Sequence, residues 1–402
     1  LTQEIQEIQE SQETQQDQQD QENQQDQQNQ QTQQTQQTQQ TQETQQDQQD
    51  QENLESQGNQ ETQENQQNQE ITIADGRFRI DYKIASGGYS RVYVGTDKKT
   101  NQQVAIKLEE VNQGVSSPSR RGETVKLEGR LYRKLPPHSY PKLHWTGTTR
   151  GGLYDALVTD LLGPSLWNLW EYCKYSFTLD TLCNIAIQAL KRLQGLHKKG
   201  IIHNDIKPTN FAMGSGKNGN TLYLIDLGLA KTFEEVKHKE KVKRVGGLLG
   251  TPCYAPLEAL RGRTRSYRDD LESLGLTLIE LSKGDLPWGD ARDSLCLEQR
   301  AKITLDELCS ELPEVHFLME HARNLRFDQL PNYRQLIKKF EKARSTPESG
   351  QTWIFDWVKV RYQRIQKKVE EQAAGLENRR RSRDADDEGE AEGPPRSRPR
   401  QQ

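Results

Sequence analysis

Apolar residues are nearly absent from the first 70 positions of the 402-residue chain and become frequent from about Ile73 onward. In the stretch that follows, short segments rich in apolar and β-branched residues alternate with Gly and polar turns, a pattern typical of strands. A longer segment, 123–135, repeats apolar residues at helical spacing, which predicts a helix. The predicted strands are 77–84, 91–96, 103–110, about 142–146 and 153–160.

From about residue 165 the pattern becomes mainly helical, as in Thr181–Lys198, and a last helix is predicted over 357–378. A small β-rich lobe therefore precedes a larger α-helical lobe, and ligands often bind in clefts between such lobes. We expect an α+β, two-lobed fold with the join near Leu161–Pro164. The predicted boundaries are a leader at 1–73, a folded part at 74–360 (lobes at about 74–161 and 164–360) and a charged tail at 361–402 that is first helical and then disordered.

The leader differs in composition from the rest of the chain. All 55 Lys and Arg lie beyond residue 70, together with 43 of the 59 Asp and Glu, so an acidic leader precedes a basic folded part. The leader repeats QETQQDQQDQEN at 12–23 and 42–53 and carries almost no side chains that could form a core, which predicts disorder. A functional acidic segment and a drifted repeat both remain open as explanations.

Composition also limits the compartment and the partners. None of the five cysteines forms a C-x-x-C pair, so disulfides and zinc sites are not expected, and reduced thiols favour the cytoplasm. No apolar run approaches the roughly 20 residues that span a bilayer, and membranes are not expected as partners. The Arg-rich run at 379–383 leaves the nucleus open as a second compartment. A solvated tail is favoured over a nucleic-acid patch.

Candidate chemistry is concentrated in His203–Asn210, read as HNDIKPTN, and in Asp226–Gly228. Asp205 can accept a hydroxyl proton, and Lys207 can steady a moving phosphoryl group. Asn210 and Asp226 can hold Mg²⁺. A lone Asp in a loop is usually a turn former, but four such residues at these offsets point to phosphoryl transfer from ATP.

Two further motifs precede these residues. Val104–Lys107 ends an apolar strand with a Lys, which would be a surface residue unless a phosphate or a carboxylate pairs with it. Glu128 on the next helix is the candidate carboxylate, with Glu123 as a weaker substitute. The segment Ile84–Val92 is Gly-containing and lies between two predicted strands, where small residues let backbone N–H groups approach phosphates. Alone, it would be interpreted as a plain hairpin turn.

Together these motifs resemble the casein kinase 1 family of protein Ser/Thr kinases, and within it the tau-tubulin kinase branch. The resemblance runs from about Phe78 to Trp357. Its specific pieces are Val104–Glu109, Asp160–Leu166, Asn210–Gly214, Asp269–Gly275, Leu286–Trp288 and Leu325–Asp328.

The resemblance implies a bilobal kinase fold that transfers a phosphoryl group from ATP to Ser or Thr, with one or two Mg²⁺ ions. Asp205, Lys207, Lys107 and Glu128 would be catalytic, and Asn210 and Asp226 would bind the metal. His203 is expected to be structural, and Asp270 to brace the catalytic loop. The implied ATP contacts are Ile84, Gly87, Val92, Ala105, Lys107, Thr159, Asp160 and Leu162.

The chain departs from the family pattern at several points. Ala85 and Ser90 replace two glycines of the Gly-rich loop, and Leu227 replaces a Phe. Asn204 stands where many kinases have an Arg that binds a phosphorylated activation loop, and Asn cannot form that charged fork. We therefore expect no dependence on activation-loop phosphorylation. Cys253 replaces a second Arg, which the family uses to hold a phosphate already present on the substrate.

A basic run in the activation segment favours protein substrates that are acidic near the target Ser or Thr, although a solvated basic loop explains it equally well. The run comprises Lys237, Lys239, Lys241, Lys243 and Arg244. The leading hypothesis is an active Ser/Thr kinase with a monomeric kinase domain. The alternatives are an ATP-binding pseudokinase scaffold and a protein whose tails are its primary functional parts.

Overall fold

The computed structural model describes residues 70–87, 90–111, 124–239, 248–289, 299–344 and 354–389, with side chains up to 372. The Gln-rich leader up to residue 69, Glu123, and Lys241, Lys243 and Arg244 of the basic run lie outside the described residues.

The first lobe is a six-stranded sheet with strand order β1-β2-β3-β4-β6-β5, in which every neighbouring pair is antiparallel. Side chains alternate between its two faces. On β4, Val104 and Ile106 are buried with Ala156 and Val158 of β6 in a small core. Lys107 therefore points to the opposite face. The strands are Thr72–Ile73 (β1), Phe78–Ser86 (β2), Ser90–Asp97 (β3), Gln102–Glu110 (β4), Leu143–Thr148 (β5) and Tyr154–Asp160 (β6).

The helix α1, Thr124–Tyr132, lies against β4, β5 and β6 of this sheet. Its buried residues include Glu128, whose carboxylate would be costly in a core without a charged partner. The helix thus brings a carboxylate to the face of the sheet that carries Lys107.

The second lobe is built around two long helices, Leu179–Lys198 (α3) and Tyr267–Lys283 (α6). Both contribute a nearly continuous set of buried apolar residues to the main core. Further α-helices in the described residues of this lobe and the tail include Leu166–Tyr172 (α2), Phe233–Val236 (α4), Leu257–Leu260 (α5), Leu305–Leu308 (α7), Pro313–Asn324 (α8), Tyr333–Ala343 (α9) and Asp356–Gly389 (α10). None of the helices in the described part of the chain is both long and apolar enough to cross a membrane.

Two short antiparallel pairs hold the loops that carry the candidate chemistry. Ile201–Ile202 (β7) pairs with Lys231–Thr232 (β10), and Phe211–Met213 (β8) pairs with Leu222–Leu224 (β9). These pairs place the segment at 203–210 between β7 and β8, and the segment at 225–230 between β9 and β10. The two segments are therefore held side by side.

The predicted α+β, two-lobed fold is confirmed, with some differences in element length. The helix predicted over 123–135 ends at Tyr132, before Pro136 and Pro137. The last helix does not end at 378 but continues to Gly389, into the part predicted to be a disordered tail. Four of residues 379–389 are Arg, which has high helix propensity, and the first Pro of the tail comes at 394.

Candidate active site

Lys107 joins three separate elements at the inner face of the sheet. Its Nζ donates to Glu128 Oε2 on α1 at 2.9 Å and to Asp226 Oδ1, which follows β9, at 2.8 Å. Burial alone would lower the pKa of Lys107, but the charges of Glu128 and Asp226 raise it well above its usual value. Lys107 is therefore a permanent cation beside two carboxylates.

The Asp226–Gly228 segment is bound to this group through its backbone as well. Asp226 adopts a left-handed conformation with φ 64°, which is uncommon for a residue other than Gly. The Leu227 N–H donates to Glu128 Oε1 at 3.1 Å, and the Gly228 N–H donates to Asp226 Oδ1 at 3.2 Å. The Leu227 side chain is fully buried in the main core, so the Leu that replaces a Phe here still fills an apolar slot.

The pKa of Asp226 follows from these contacts. Burial alone would raise it, but the charge and hydrogen bond of Lys107 lower it to about 2. The side chain of Asp226 is nevertheless 44% exposed toward the cleft. It is therefore an ionised carboxylate that a solute can reach.

The Asp205 carboxylate is held on both oxygens. Oδ1 accepts the N–H and the Oγ1 hydroxyl of Thr251, each at 2.9 Å. Oδ2 accepts Asn210 Nδ2 at 3.0 Å and lies 3.0 Å from Lys207 Nζ. Lys207 Nζ also donates to Thr251 Oγ1 at 2.7 Å. Because these partners come from the loop itself and from a segment 46 residues away, the orientation of Asp205 is fixed before any substrate arrives.

Asp270, near the start of α6, braces this loop from below. Its buried carboxylate accepts the His203 N–H at 2.7 Å and the Asn204 N–H at 2.9 Å, and it also binds His197 Nε2 at 2.9 Å. Burial alone would raise the pKa of Asp270, but these hydrogen bonds and the neighbouring histidines lower it. The structural role predicted for Asp270 is confirmed.

His203 is likewise structural. Its ring bonds the Ile225 carbonyl through Nε2 at 3.0 Å and accepts the Asp205 N–H through Nδ1 at 3.2 Å, which makes Nε2 the protonated nitrogen. The ring thereby joins the two loops of the site. It is fully buried and does not face the cleft.

A comparison with protein families agrees with this geometry. The model of the protein kinase domain matches residues 78–351, which is more than half of the chain. The chain belongs to the protein kinase family. The kinase fold thus accounts for the curled sheet, the helical lobe and the loops between them.

The residues expected to contact the adenine part of ATP lie where the sheet of the kinase meets the second lobe. Thr159 pairs with Ala105 across the strands β4 and β6. The Asp160 carboxylate is turned away from this edge, since it binds His144 Nε2 at 2.7 Å and the Lys142 N–H at 3.0 Å. Asp160 therefore has only its backbone to offer a nucleotide.

The Gly-rich hairpin covers the same face. Val92 lies opposite both Ala85 and Lys107 in the sheet register, and Ile84 is 50% exposed. The Gly87 N–H donates to the Ser90 carbonyl at 2.8 Å, which closes the turn. Gly88 and Tyr89 at its tip lie outside the described residues. Leu162 lies in the linker between the lobes.

The site also contains oxygen atoms suited to Mg²⁺. Asn210 Nδ2 is committed to the Asp205 carbonyl at 2.7 Å and to its carboxylate, so its side-chain oxygen is the atom left to bind a cation. The Ile225 N–H donates to the Asn210 carbonyl at 2.9 Å, which aligns Asn210 with the segment that carries Asp226. No cluster of three His, Cys, Asp or Glu suited to a metal occurs among the described residues. One amide and one carboxylate fit Mg²⁺ if phosphate oxygens and water complete its shell.

Sequence reasoning missed two members of the site. Thr251 lies two positions before Cys253, in the stretch Gly-Thr-Pro-Cys-Tyr-Ala at 250–255, and its position beside Gly250 was the available signal. Arg265 has no such signal, because it lies outside every motif. It is buried between the catalytic loop and the end of the activation segment.

The described part of the basic run gives mixed support for an acidic-substrate site. Lys237 forms an ion pair with Glu234, and Lys239 is exposed.

Cys253, which replaces an Arg of the family pattern, is partly buried, and its carbonyl accepts Trp288 Nε1 at 3.0 Å.

Proposed function

We propose that this kinase is an ATP-dependent Ser/Thr protein kinase of the casein kinase 1 family, closest to its tau-tubulin kinase branch. The observation that carries the proposal is the Asp205 carboxylate, held by Thr251, Asn210 and Lys207 in a loop that Asp270 braces. A scaffold protein would gain nothing from holding a carboxylate in this way.

In the proposed reaction, Asp205 orients the substrate hydroxyl and takes its proton as the γ-phosphoryl group of ATP is transferred to the hydroxyl oxygen. Lys207, beside Asp205, stabilises the charge on the phosphoryl group. Lys107, oriented by Glu128, binds the phosphates of ATP. Asn210 and Asp226 would hold Mg²⁺, which when bound neutralises phosphate charge.

The proposed substrates are proteins with acidic residues near the target Ser or Thr, and the support for this is the basic run from Lys237 to Arg244. Independence of activation-loop phosphorylation is supported by Asn204, whose side chain donates to the Leu229 carbonyl at 3.0 Å. We further propose a monomeric kinase domain at 74–360 that acts in the cytoplasm, with the nucleus as a second compartment.

The test is transfer of labelled γ-phosphate to an acidic protein substrate by the full chain and by Asp205→Ala. We expect the rate to fall by about 10²-fold or more, because the base and orienting group are lost. The matched control is Asp306→Ala, a carboxylate that is 92% exposed and far from the loop in sequence. Equal rates for wild type and Asp205→Ala would leave the pseudokinase scaffold as the better reading.

Two further measurements address the finer points. Phosphoamino-acid analysis should yield phosphoserine or phosphothreonine and no phosphotyrosine. Acidic peptides should be better substrates than basic peptides of the same length, and equal rates for both would remove the acidic preference.

A further inference from the structure

Arg265 connects two segments that are far apart in sequence. It lies between α5 and α6 and is only 5% exposed. Its Nη1 donates to the Asn204 carbonyl, and its Nη2 donates to the Leu249 carbonyl at 2.6 Å. One guanidinium thus bonds both the catalytic loop and the end of the activation segment.

Each of these carbonyls lies next to a part of the catalytic group. Asn204 precedes Asp205, and Leu249 comes two positions before Thr251, whose N–H and hydroxyl hold Asp205 Oδ1. The contacts therefore form a closed ring that runs from Asp205 through Asn204, Arg265 and Leu249 to Thr251 and back. A change at Arg265 would be transmitted to both sides of the Asp205–Thr251 contact.

The two segments cross at very short range beside the guanidinium. Gly250 has φ +81°, and a Cβ at this position would lie 2.7 Å from the Asn204 carbonyl oxygen and 3.4 Å from Arg265 Nη1. Only a glycine fits here without displacing the backbone. The crossing thus requires a glycine, and Arg265 bonds the carbonyls on both sides of it.

Asn204 cannot supply a positive charge at this junction. Its backbone N–H donates to Asp270, and its side-chain amide donates to the Leu229 carbonyl at 3.0 Å. The buried cation comes instead from Arg265. The Asn204 and Leu249 acceptors are backbone carbonyls, which are always present, whereas a phosphate is present only after modification. The planar fork of Arg reaches two acceptors in a way that Lys cannot.

We propose that Arg265 is a positioning residue that fixes the end of the activation segment on the catalytic loop, in place of a phosphorylated side chain. This inference rests on the proposed function, since it explains how Asp205 and Thr251 stay in register in an unphosphorylated kinase.

The experiment compares Arg265→Gln and Arg265→Lys in the full chain with a partly buried control, Arg192→Gln. Arg192 lies on α3, where its Nε donates to the Leu222 carbonyl at 2.6 Å, away from the activation segment. The readouts are kcat, the KM for ATP, the urea midpoint and amide hydrogen exchange of the peptide 248–255.

We expect Arg265→Gln to lower kcat about tenfold or more while the KM for ATP changes less than twofold, because nucleotide contacts lie elsewhere. Exchange of the Thr251 amide should become faster. Arg265→Lys should fall between Arg265→Gln and wild type. Arg192→Gln should lower the urea midpoint without faster exchange at 248–255. The proposal is overturned if kcat and exchange stay at wild-type values in Arg265→Gln, or if both Gln variants change exchange in that peptide equally.

Failure of the proposed function gives a different pattern. Suppose that wild type transfers no phosphate while Arg265→Gln still speeds amide exchange selectively at 248–255. That result would support the positioning role of Arg265 and refute the proposed kinase activity. If phosphatase treatment of an active wild type abolishes its activity, the replacement of a phosphorylated side chain by Arg265 is wrong.

Discussion

The Gly-rich hairpin and the catalytic loop face the same cleft but are built in opposite ways. In β2 the last six positions, 81–86, are exposed, and Ile84 is half exposed. In the catalytic loop, His203 is fully buried, and Asn204 and Asp205 are 4% and 8% exposed. The hairpin depends on backbone pairing, whereas the catalytic loop depends on specific side-chain partners.

This difference explains which departures from the kinase pattern matter. Ala85 and Ser90 replace glycines in the hairpin, where Ala85 pairs with Val92 of β3 and Ser90 pairs with Glu109 of β4. Asn204 lies in the loop, where every polar group needs a partner because unpaired buried groups are costly. Its N–H donates to Asp270, its side-chain amide donates to the Leu229 carbonyl, and its carbonyl accepts Arg265. The hairpin therefore tolerates sequence change on its own, but the loop requires a compensating residue elsewhere.

The largest expected effect comes from breaking the brace under the loop. Asp270→Ala leaves two backbone N–H groups and His197 without their acceptor, which we expect to cost about 3–5 kcal/mol in the free energy of unfolding. The hairpin counterpart is Tyr82→Ala, at a side chain that is 57% exposed, where about 0.5 kcal/mol or less is expected. Urea unfolding of both variants measures the contrast. Similar losses of unfolding free energy in Asp270→Ala and Tyr82→Ala would refute the idea that the loop depends on side-chain partners more than the hairpin does.

A second effect tests the contact of Lys107 with Glu128 and Asp226, which joins the sheet of the first lobe to the segment after β9. Lys107→Met removes the cation between Glu128 and Asp226 and should lower kcat/KM by about 10²-fold. It also leaves the buried Glu128 carboxylate without its cation, so the second change Glu128→Gln should recover part of the lost stability. A double-mutant cycle measures this coupling, which we expect to be about 1 kcal/mol or more. Strictly additive losses would show that the pair does not act as a unit.

A third effect concerns Asp269, the neighbour of Asp270. Burial raises the pKa of Asp269 to about 7, although the hydrogen bond from the Ser266 N–H has the opposite effect and lowers it. Its pKa in the unfolded chain is about 3.9. Between about pH 3.9 and pH 7, the folded state therefore binds more protons than the unfolded state. The stability that Asp269 contributes at low pH is lost as the pH rises through about 7.

The variant Asp269→Asn removes this titration but keeps an oxygen for the Ser266 N–H. We expect the variant to be similar to wild type near pH 4 and relatively more stable at pH 8, by on the order of 1 kcal/mol. Urea unfolding at intervals from pH 4 to pH 8 provides the measurement. Parallel pH profiles for the two proteins would contradict the raised pKa of Asp269.

The smallest effect belongs to the hairpin. Ile84→Ala should raise the KM for ATP about three- to tenfold, as expected for losing part of an apolar contact with a nucleotide, and leave kcat nearly unchanged. Its free energy of unfolding should stay within about 0.5 kcal/mol of wild type, since the side chain is half exposed in the free kinase. An unchanged KM would mean that this strand does not contact the nucleotide.

Much of the architecture could be predicted because it is local. Segments rich in apolar and β-branched residues between turns predicted the strands β2 to β6, and helical spacing predicted α1 and α3, within a few residues at each end. The offsets among Asp205, Lys207, Asn210 and Asp226 identified the catalytic segments. A loop that is held between two short strands keeps its side chains at fixed positions, so the sequence offsets are fixed as well. The pairing of Lys107 with Glu128 was predicted from the cost of an unpaired Lys at the end of an apolar strand, together with the kinase interpretation of the neighbouring motifs.

The sequence by itself determined the two lobes, the kinase motifs and the residues at which this chain departs from them. Only the tertiary structure decided that Thr251 holds Asp205, that Lys107 also binds Asp226, 119 residues away, and that Arg265 joins Asn204 to Leu249. Short-range patterns encode strands and helices because they depend on neighbouring side chains. The partners of a buried charge are set by which distant segments the folded core brings within about 3 Å of it, and no local pattern records that distance.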